Sequence, residues 1–66
     1  MPITPKEKAS DIYRTWVYYW GDEGLKTKQI LTHNVVAEIV RTLIEKGATK
    51  EELNYWNEVG KEIYEI

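Results

Sequence analysis

Apolar side chains recur every three or four residues in three separate stretches of the chain, which is the spacing of one face of an α-helix. These stretches predict helices over about residues 5–20, 28–46 (or 33–46) and 50–65. There is no internal repeat, low-complexity tract or linker to divide the sequence. We therefore expect a single all-α domain over residues 1–66, built as a three-helix bundle.

The first predicted helix begins at Thr4-Pro5-Lys6-Glu7, which offers a capping hydroxyl, a proline at the first helical position and a glutamate three residues after the cap. Gly21 and Gly24 supply two glycines for the left-handed conformation in which helices often end. At 100° per residue, one face of this helix is apolar, with Val17 at its edge. The inward positions are Ala9, Ile12, Tyr13, Trp16 and Trp20.

The second helix has two plausible starting points, because either Thr27 or Thr32 could cap it. The helical phase favours the later start, since Ile30 and Leu31 project away from the main apolar face. The helix should run to about Lys46 and stop at Gly47. Its apolar arc is wide and predicts the central element of the bundle, with Arg41 and Glu45 spaced for an ion pair on the outer stripe. The arc comprises Val35, Val36, Ile39, Val40, Leu43 and Ile44.

The third helix opens with a second capping pattern, Thr49-Lys50-Glu51-Glu52, and continues to the end of the chain. A glycine inside a helix costs about 1 kcal/mol relative to alanine, so a glycine on an inward face usually has a packing reason. Gly60 therefore predicts the close approach of another helix, with a tolerated local weakness as the alternative. The inward positions are Leu53, Trp56, Val59, Gly60 and Ile63.

Composition excludes several classes of protein. A chain of 66 residues has only a marginal core, and with no cysteine and one histidine neither disulfides nor a zinc site can reinforce it. We therefore expect either unusually good helix packing or burial against a second copy or a partner. Nine cations interleaved with eleven acids give a net charge of −2, which argues against long nucleic acid as the ligand. No apolar run is long enough to span a bilayer, and we expect a cytoplasmic protein.

Catalytic constellations are missing from the sequence. The single serine, Ser10, lies in the first helix, while the single histidine, His33, belongs to another segment, so no nucleophile and base are paired locally. Gly21-Asp22-Glu23-Gly24 places acids where a phosphate loop would need backbone amides free of negative charge. We predict a protein that is not an enzyme and needs no cofactor or metal. His33 is expected to be a half-buried structural residue, with a pH switch or a ligand contact as the alternatives.

The aromatic residues are the best candidates for a functional surface. Three tryptophans, five tyrosines and no phenylalanine mean that every aromatic ring carries a hydrogen-bonding group, as is common at interfaces. The helical phase places Tyr18 outward beside Arg14, and Tyr and Arg are frequent anchors of interfaces. The predicted partner-binding residues are Arg14, Tyr18, Tyr19, Tyr55 and Tyr64.

A second candidate site lies between the first two predicted helices. Lys26, Thr27 and Lys28 group two cations and a hydroxyl near a helix N-terminus, whose free amides attract anions. A small nucleotide could bind there with its base against the nearby tyrosines. A solvated loop is the alternative interpretation of the same residues.

The sequence also resembles a loose group of very small phage and prophage proteins of unknown function. The matching stretches are Lys6-Glu7-Lys8-Ala9, Val35-Val36-Ala37-Glu38-Ile39-Val40 and Tyr55-Trp56-Asn57-Glu58-Val59-Gly60-Lys61-Glu62-Ile63, of which the last is the most specific. Gly60 departs from the pattern, which has a polar residue there. Proteins of this kind often resemble counter-defence factors that occlude a host defence protein or sequester a nucleotide signal.

Three functions follow as hypotheses. The leading one is a phage-encoded inhibitor or adaptor that binds a host protein, and that itself forms a homo-oligomer. The second is an oligomeric sponge that sequesters a nucleotide signal. The third is a structural or assembly accessory protein whose only partner is itself.

Overall fold

The computed structural model describes residues 3–66 and has three helices in this range. They are α1 (Pro5–Val17), α2 (Leu25–Glu45) and α3 (Lys50–Ile63). The three helices pack against one another, so the predicted all-α three-helix bundle is confirmed. No helix in the described part of the chain combines the length and the apolarity that a membrane span requires.

Both threonine caps are formed as the sequence predicts. The Oγ1 atom of Thr4 accepts a hydrogen bond from the backbone N–H of Glu7 at 3.2 Å, and Thr49 accepts one from Glu52 at the same distance. Both threonines have extended backbone, as an N-cap residue does. These contacts fix the starts of α1 and α3 from local sequence alone.

The end of α1 and the end of α2 both use a glycine with positive φ. Gly21 (φ 56°) follows a short turn after Val17, so α1 is three residues shorter than the predicted 5–20. Gly47 (φ 77°) closes α2 in a Schellman motif. In that motif the Ala48 N–H donates to the Leu43 carbonyl at 2.9 Å, and the Gly47 N–H donates to the Ile44 carbonyl at 3.1 Å.

The prediction for the start of α2 was wrong, since the helix begins at Leu25, before either expected position. Gly24 takes the N-cap position with extended backbone, and neither Thr27 nor Thr32 is a cap. Thr32 is fully buried, and its hydroxyl donates to the Lys28 carbonyl at 2.7 Å. Because this internal bond satisfies the hydroxyl, Thr32 serves as a small core residue within the helix.

The first turns of α2 are held by contacts with the end of α3. The side-chain amide of Gln29 donates to the carbonyls of Ile63 and Ile66 at 3.4 and 3.3 Å, respectively. The rings of His33 and Tyr64 lie 4.9 Å apart. These contacts between polar side chains and the end of the chain thus help to stabilise the first turns of α2. The apolar pattern alone favoured a later start for this helix.

The helix at the centre of the bundle is α3, which corrects the expectation that α2 would be central. α3 has extensive interfaces with both neighbours, whereas α1 and α2 touch much less. The start of α1 lies beside the start of α3, where the Tyr55 hydroxyl donates to the Ile3 carbonyl at 2.7 Å. α2 runs antiparallel to α3. The core is formed by Ala9, Val36, Val59 and Ile63, with Ile12, Val40, Tyr55 and Trp56 packed around it.

Gly60 is buried where α3 crosses α2, as predicted. A Cβ added at this position would lie 3.4 Å from Nε2 of His33 and 3.7 Å from Cγ1 of Val36. His33 is therefore a half-buried residue between α2 and α3, as expected for a helix that starts early. The outer stripe of α2 carries an ion pair between Arg41 and Glu38 at 3.7 Å, in place of the predicted pair with Glu45.

Candidate functional site

The central position of α3 leaves much of the apolar arc of α2 without a covering helix. One side of the arc, with Val36 and Val40, packs on the core, but Val35, Ile39 and Leu43 are only half-buried. Ile44 is 60% exposed. The wide arc that predicted burial on two sides is thus buried on one side and forms a surface on the other.

This surface is a groove between α1 and α2 with a volume of about 490 Å³, called here the α1–α2 groove. Trp16 is its one lining residue from α1. From α2 it is lined by Val35, Glu38, Ile39, Thr42, Leu43 and Lys46. Four lining side chains are apolar, and the two charged ones have opposite signs. An apolar groove with a polar rim is typical of surfaces that bind another protein.

An aromatic cluster continues the groove at the end of α1. The rings of Trp16 and Trp20 stack at a centroid distance of 5.6 Å, and Tyr19 meets Trp16 edge-on at 5.4 Å. Tyr19 is 78% exposed, whereas both tryptophans are half-buried. Each ring contacts a neighbouring ring, and together the three rings extend the surface of the groove beyond Trp16.

The five predicted partner-binding residues do not form one surface. Tyr18 is 85% exposed at the end of α1, and Tyr64 is half exposed against His33. Tyr55 lies beside Ile3 at the opposite end of α1, about 20 Å from Tyr18 along the helix. Its hydroxyl is used by that hydrogen bond and its ring packs on the core, so Tyr55 serves the fold.

Arg14 lies on the exposed side of α1, in a shallow depression separate from the groove. This depression is lined by Lys6, Glu7, Ser10, Asp11 and Arg14. Its lining side chains are polar or charged and all come from one helix. It is the solvated face of an amphipathic helix.

The cationic cluster forms the first turn of α2. Lys26 and Thr27 are exposed and Lys28 is half-buried. The N-cap, Gly24, has no side chain to cap the turn, so free amides do lie near two lysines. Lys26, Thr27 and Lys28 line neither the α1–α2 groove nor the other two surface depressions. The stacked rings nearby are those of Trp16 and Trp20.

A third, smaller depression of about 170 Å³ lies between α2 and α3. It is lined by His33, Val36, Ala37, Val40, Trp56, Asn57 and Gly60. Its floor consists of core side chains, and His33 fills the space beside Gly60. Within residues 3–66, no group of three or more His, Asp or Glu side chains is arranged to hold a metal ion.

Sequence reasoning missed the groove because it assigned Trp16, Val35, Ile39 and Leu43 to the core. The available signal was the width of the α2 arc, which is more than the neighbouring helices of a 66-residue chain can cover. Comparisons with protein-family models, curated proteins and solved structures find no match to this chain.

Proposed function

We propose that this protein is a non-enzymatic binding protein that acts by protein–protein interaction through the α1–α2 groove. The observation that carries the proposal is the exposed half of the α2 apolar arc, which faces Trp16 across the groove. A small chain gains little by leaving Val35, Ile39 and Leu43 partly exposed in one continuous groove unless another polypeptide covers them.

The chemistry of the lining also supports a polypeptide as the ligand. An amphipathic helix presents apolar residues every three or four positions, and such a helix fits a groove of this kind. Glu38 and Lys46 at the rim can orient the bound segment through its charges. The neighbouring Tyr19 extends the contact area with a ring that can also donate a hydrogen bond.

The biological setting that we propose comes from the resemblance to small phage proteins. In that setting the protein would act on a protein of the host cell. The lack of cysteine suits the reducing cytoplasm, which is the compartment we propose.

A photo-crosslinking amino acid at position 42 tests the proposal, because Thr42 is exposed and lines the groove. The matched control is the same substitution at Asn34, which is exposed on α2 outside the groove. We expect crosslinks to a polypeptide from position 42 and none from position 34. Equal capture at both positions, or none at position 42, would refute the proposal.

The adduct then identifies the partner by mass spectrometry. Binding of that partner should be lost on Thr42→Glu, which introduces a charge among the apolar lining residues. Asn34→Glu introduces the same charge on the same helix and should leave binding intact. Circular dichroism of both variants verifies that the helices persist.

A further inference from the structure

We infer that the occupant of the α1–α2 groove is the same groove of a second copy, with α2 antiparallel to its two-fold mate. This inference deepens the proposed function and rests on it, because both use the same surface. Three observations carry it: the surface that the chain exposes, its flat shape and the order of charges along the groove.

The chain exposes more surface than a monomer of its mass ordinarily does. Its accessible surface is 4952 Å² at 7.8 kDa, whereas folded monomers of this mass expose about 4400 Å². The excess is comparable to the roughly 800 Å² that each partner contributes to an interface of standard size. One further contact of that size would bring the surface per chain to, or below, the usual value.

The shape of the chain accounts for this excess. Its extents are 37 × 26 × 15 Å, and its radius of gyration is 12.0 Å, whereas about 10.8 Å is usual for this length. α1 and α2 lie on either side of α3 with little contact between them, which makes the bundle flat. A second flat bundle packed on the open groove would add a further layer of helices and cover the exposed apolar surface of α2.

The charges of the groove are complementary to those of the same groove in a second, antiparallel copy. Glu38 and Lys46 both line it and lie two helical turns apart, with Thr42 midway between them. A two-fold axis through Thr42 places each Glu38 opposite the Lys46 of the other copy, so that two ion pairs form. An interface of this kind is isologous, since one patch binds its own copy.

The residue on the axis is small enough for close approach of the two helices. The Thr42 hydroxyl already donates to the Glu38 carbonyl at 3.0 Å, so it can be covered without losing its hydrogen bond. Ile39 and Leu43, on either side of it, supply apolar contact. The ion pair between Glu38 and Arg41 is more than 70% exposed on both sides and contributes little, so Glu38 is available to the other copy.

The mass of the protein in solution, measured by light scattering over a range of concentrations, is the first test. We expect twice 7.8 kDa at high concentration. Glu38→Lys or Lys46→Glu alone should raise the dimer dissociation constant about tenfold, because each places two like-charged pairs in the interface. The double variant Glu38→Lys/Lys46→Glu should restore the dimer. Asp11→Lys and Lys6→Glu, on the exposed face of α1, are controls that should change nothing.

Disulfide trapping tests the axis directly, because the chain has no cysteine of its own. Under mild oxidation Thr42→Cys should give a covalent dimer, while Asn34→Cys should remain monomeric in the same conditions. A dimer that is insensitive to the charge variants and is not trapped at position 42 would overturn the inference. So would a monomer at all concentrations, and in that case crosslinking of a different protein from position 42 would still support the proposed function.

Discussion

The imidazole of His33 lies against the backbone of Gly60, so that a Cβ added to the glycine would be 3.4 Å from His33 Nε2. That distance is an ordinary van der Waals contact. We therefore expect Gly60→Ala to be accepted, and to gain up to about 1 kcal/mol in unfolding free energy from helix propensity. Urea denaturation measures the change.

The matched variant at the same position is Gly60→Leu. Its branched side chain would overlap His33 and Val36, and we expect it to lower the unfolding free energy by about 1–3 kcal/mol. If both variants destabilised the protein equally, the space beside Gly60 would be smaller than the structure shows.

Gly47 and Gly24 can be compared to measure the effect of backbone conformation alone, because a side chain at either position would meet no neighbouring atom. A Cβ at either position would have no heavy atom within 4 Å, but φ is 77° at Gly47 and −67° at Gly24. We expect Gly47→Ser to cost about 1 kcal/mol, because L-residues disfavour the left-handed region. Gly24→Ser should instead stabilise α2 by a few tenths of a kcal/mol, through a capping hydroxyl. Thermal unfolding of the two variants should shift in opposite directions.

Tyr55→Phe removes a hydroxyl that joins two distant parts of the chain. The Tyr55 hydroxyl donates to the carbonyl of Ile3 at 2.7 Å, at an exposed site. We expect a loss of about 0.5–1 kcal/mol, since water can partly replace the bond. Amide hydrogen exchange should show faster exchange in the first turn of α1, while α2 keeps its protection. Tyr18→Phe, at a tyrosine that is 85% exposed, is the control and should not change stability.

Ile63→Ala creates a cavity in the core, next to Val59. Removal of a fully buried isoleucine side chain beyond Cβ costs about 2–5 kcal/mol, a large share of the stability of so small a domain. Ile44→Ala removes the same atoms from a residue that is 60% exposed, and should cost less than about 1 kcal/mol at protein concentrations where the chain is monomeric. Similar losses at both positions would contradict the assignment of the core.

Local chemistry made much of this fold predictable. The caps at Thr4 and Thr49 and the stop at Gly47 depend on residues within four positions of each, so the sequence displays all the interacting groups. α2 instead begins directly after its N-cap Gly24, and its first turns also contact the distant end of the chain through Gln29, whose partners Ile63 and Ile66 are more than thirty residues away. Such contacts have no periodic signature, and the predicted start was late for that reason.

The candidate site was predictable only in part. Helical phase placed Tyr18 outward, and it is exposed. The same phase places the apolar residues Val35, Ile39 and Leu43 on one face of α2. It cannot distinguish a face that is buried in the monomer from one that is left open. That distinction depends on which helix is central, and the packing of α1 on α3 decides it.

The preference of α1 for α3 also sets the order in which the chain can assemble. α2 and α3 are joined by a short turn and can pair early, because little entropy is lost in closing a short loop. α1 can dock only when α3 is in place, which requires closing a loop that contains the whole of α2. We therefore expect α1 to be the last helix to dock in folding and the first to detach, so that local unfolding withdraws Trp16 from the groove while the α2 side of its lining persists.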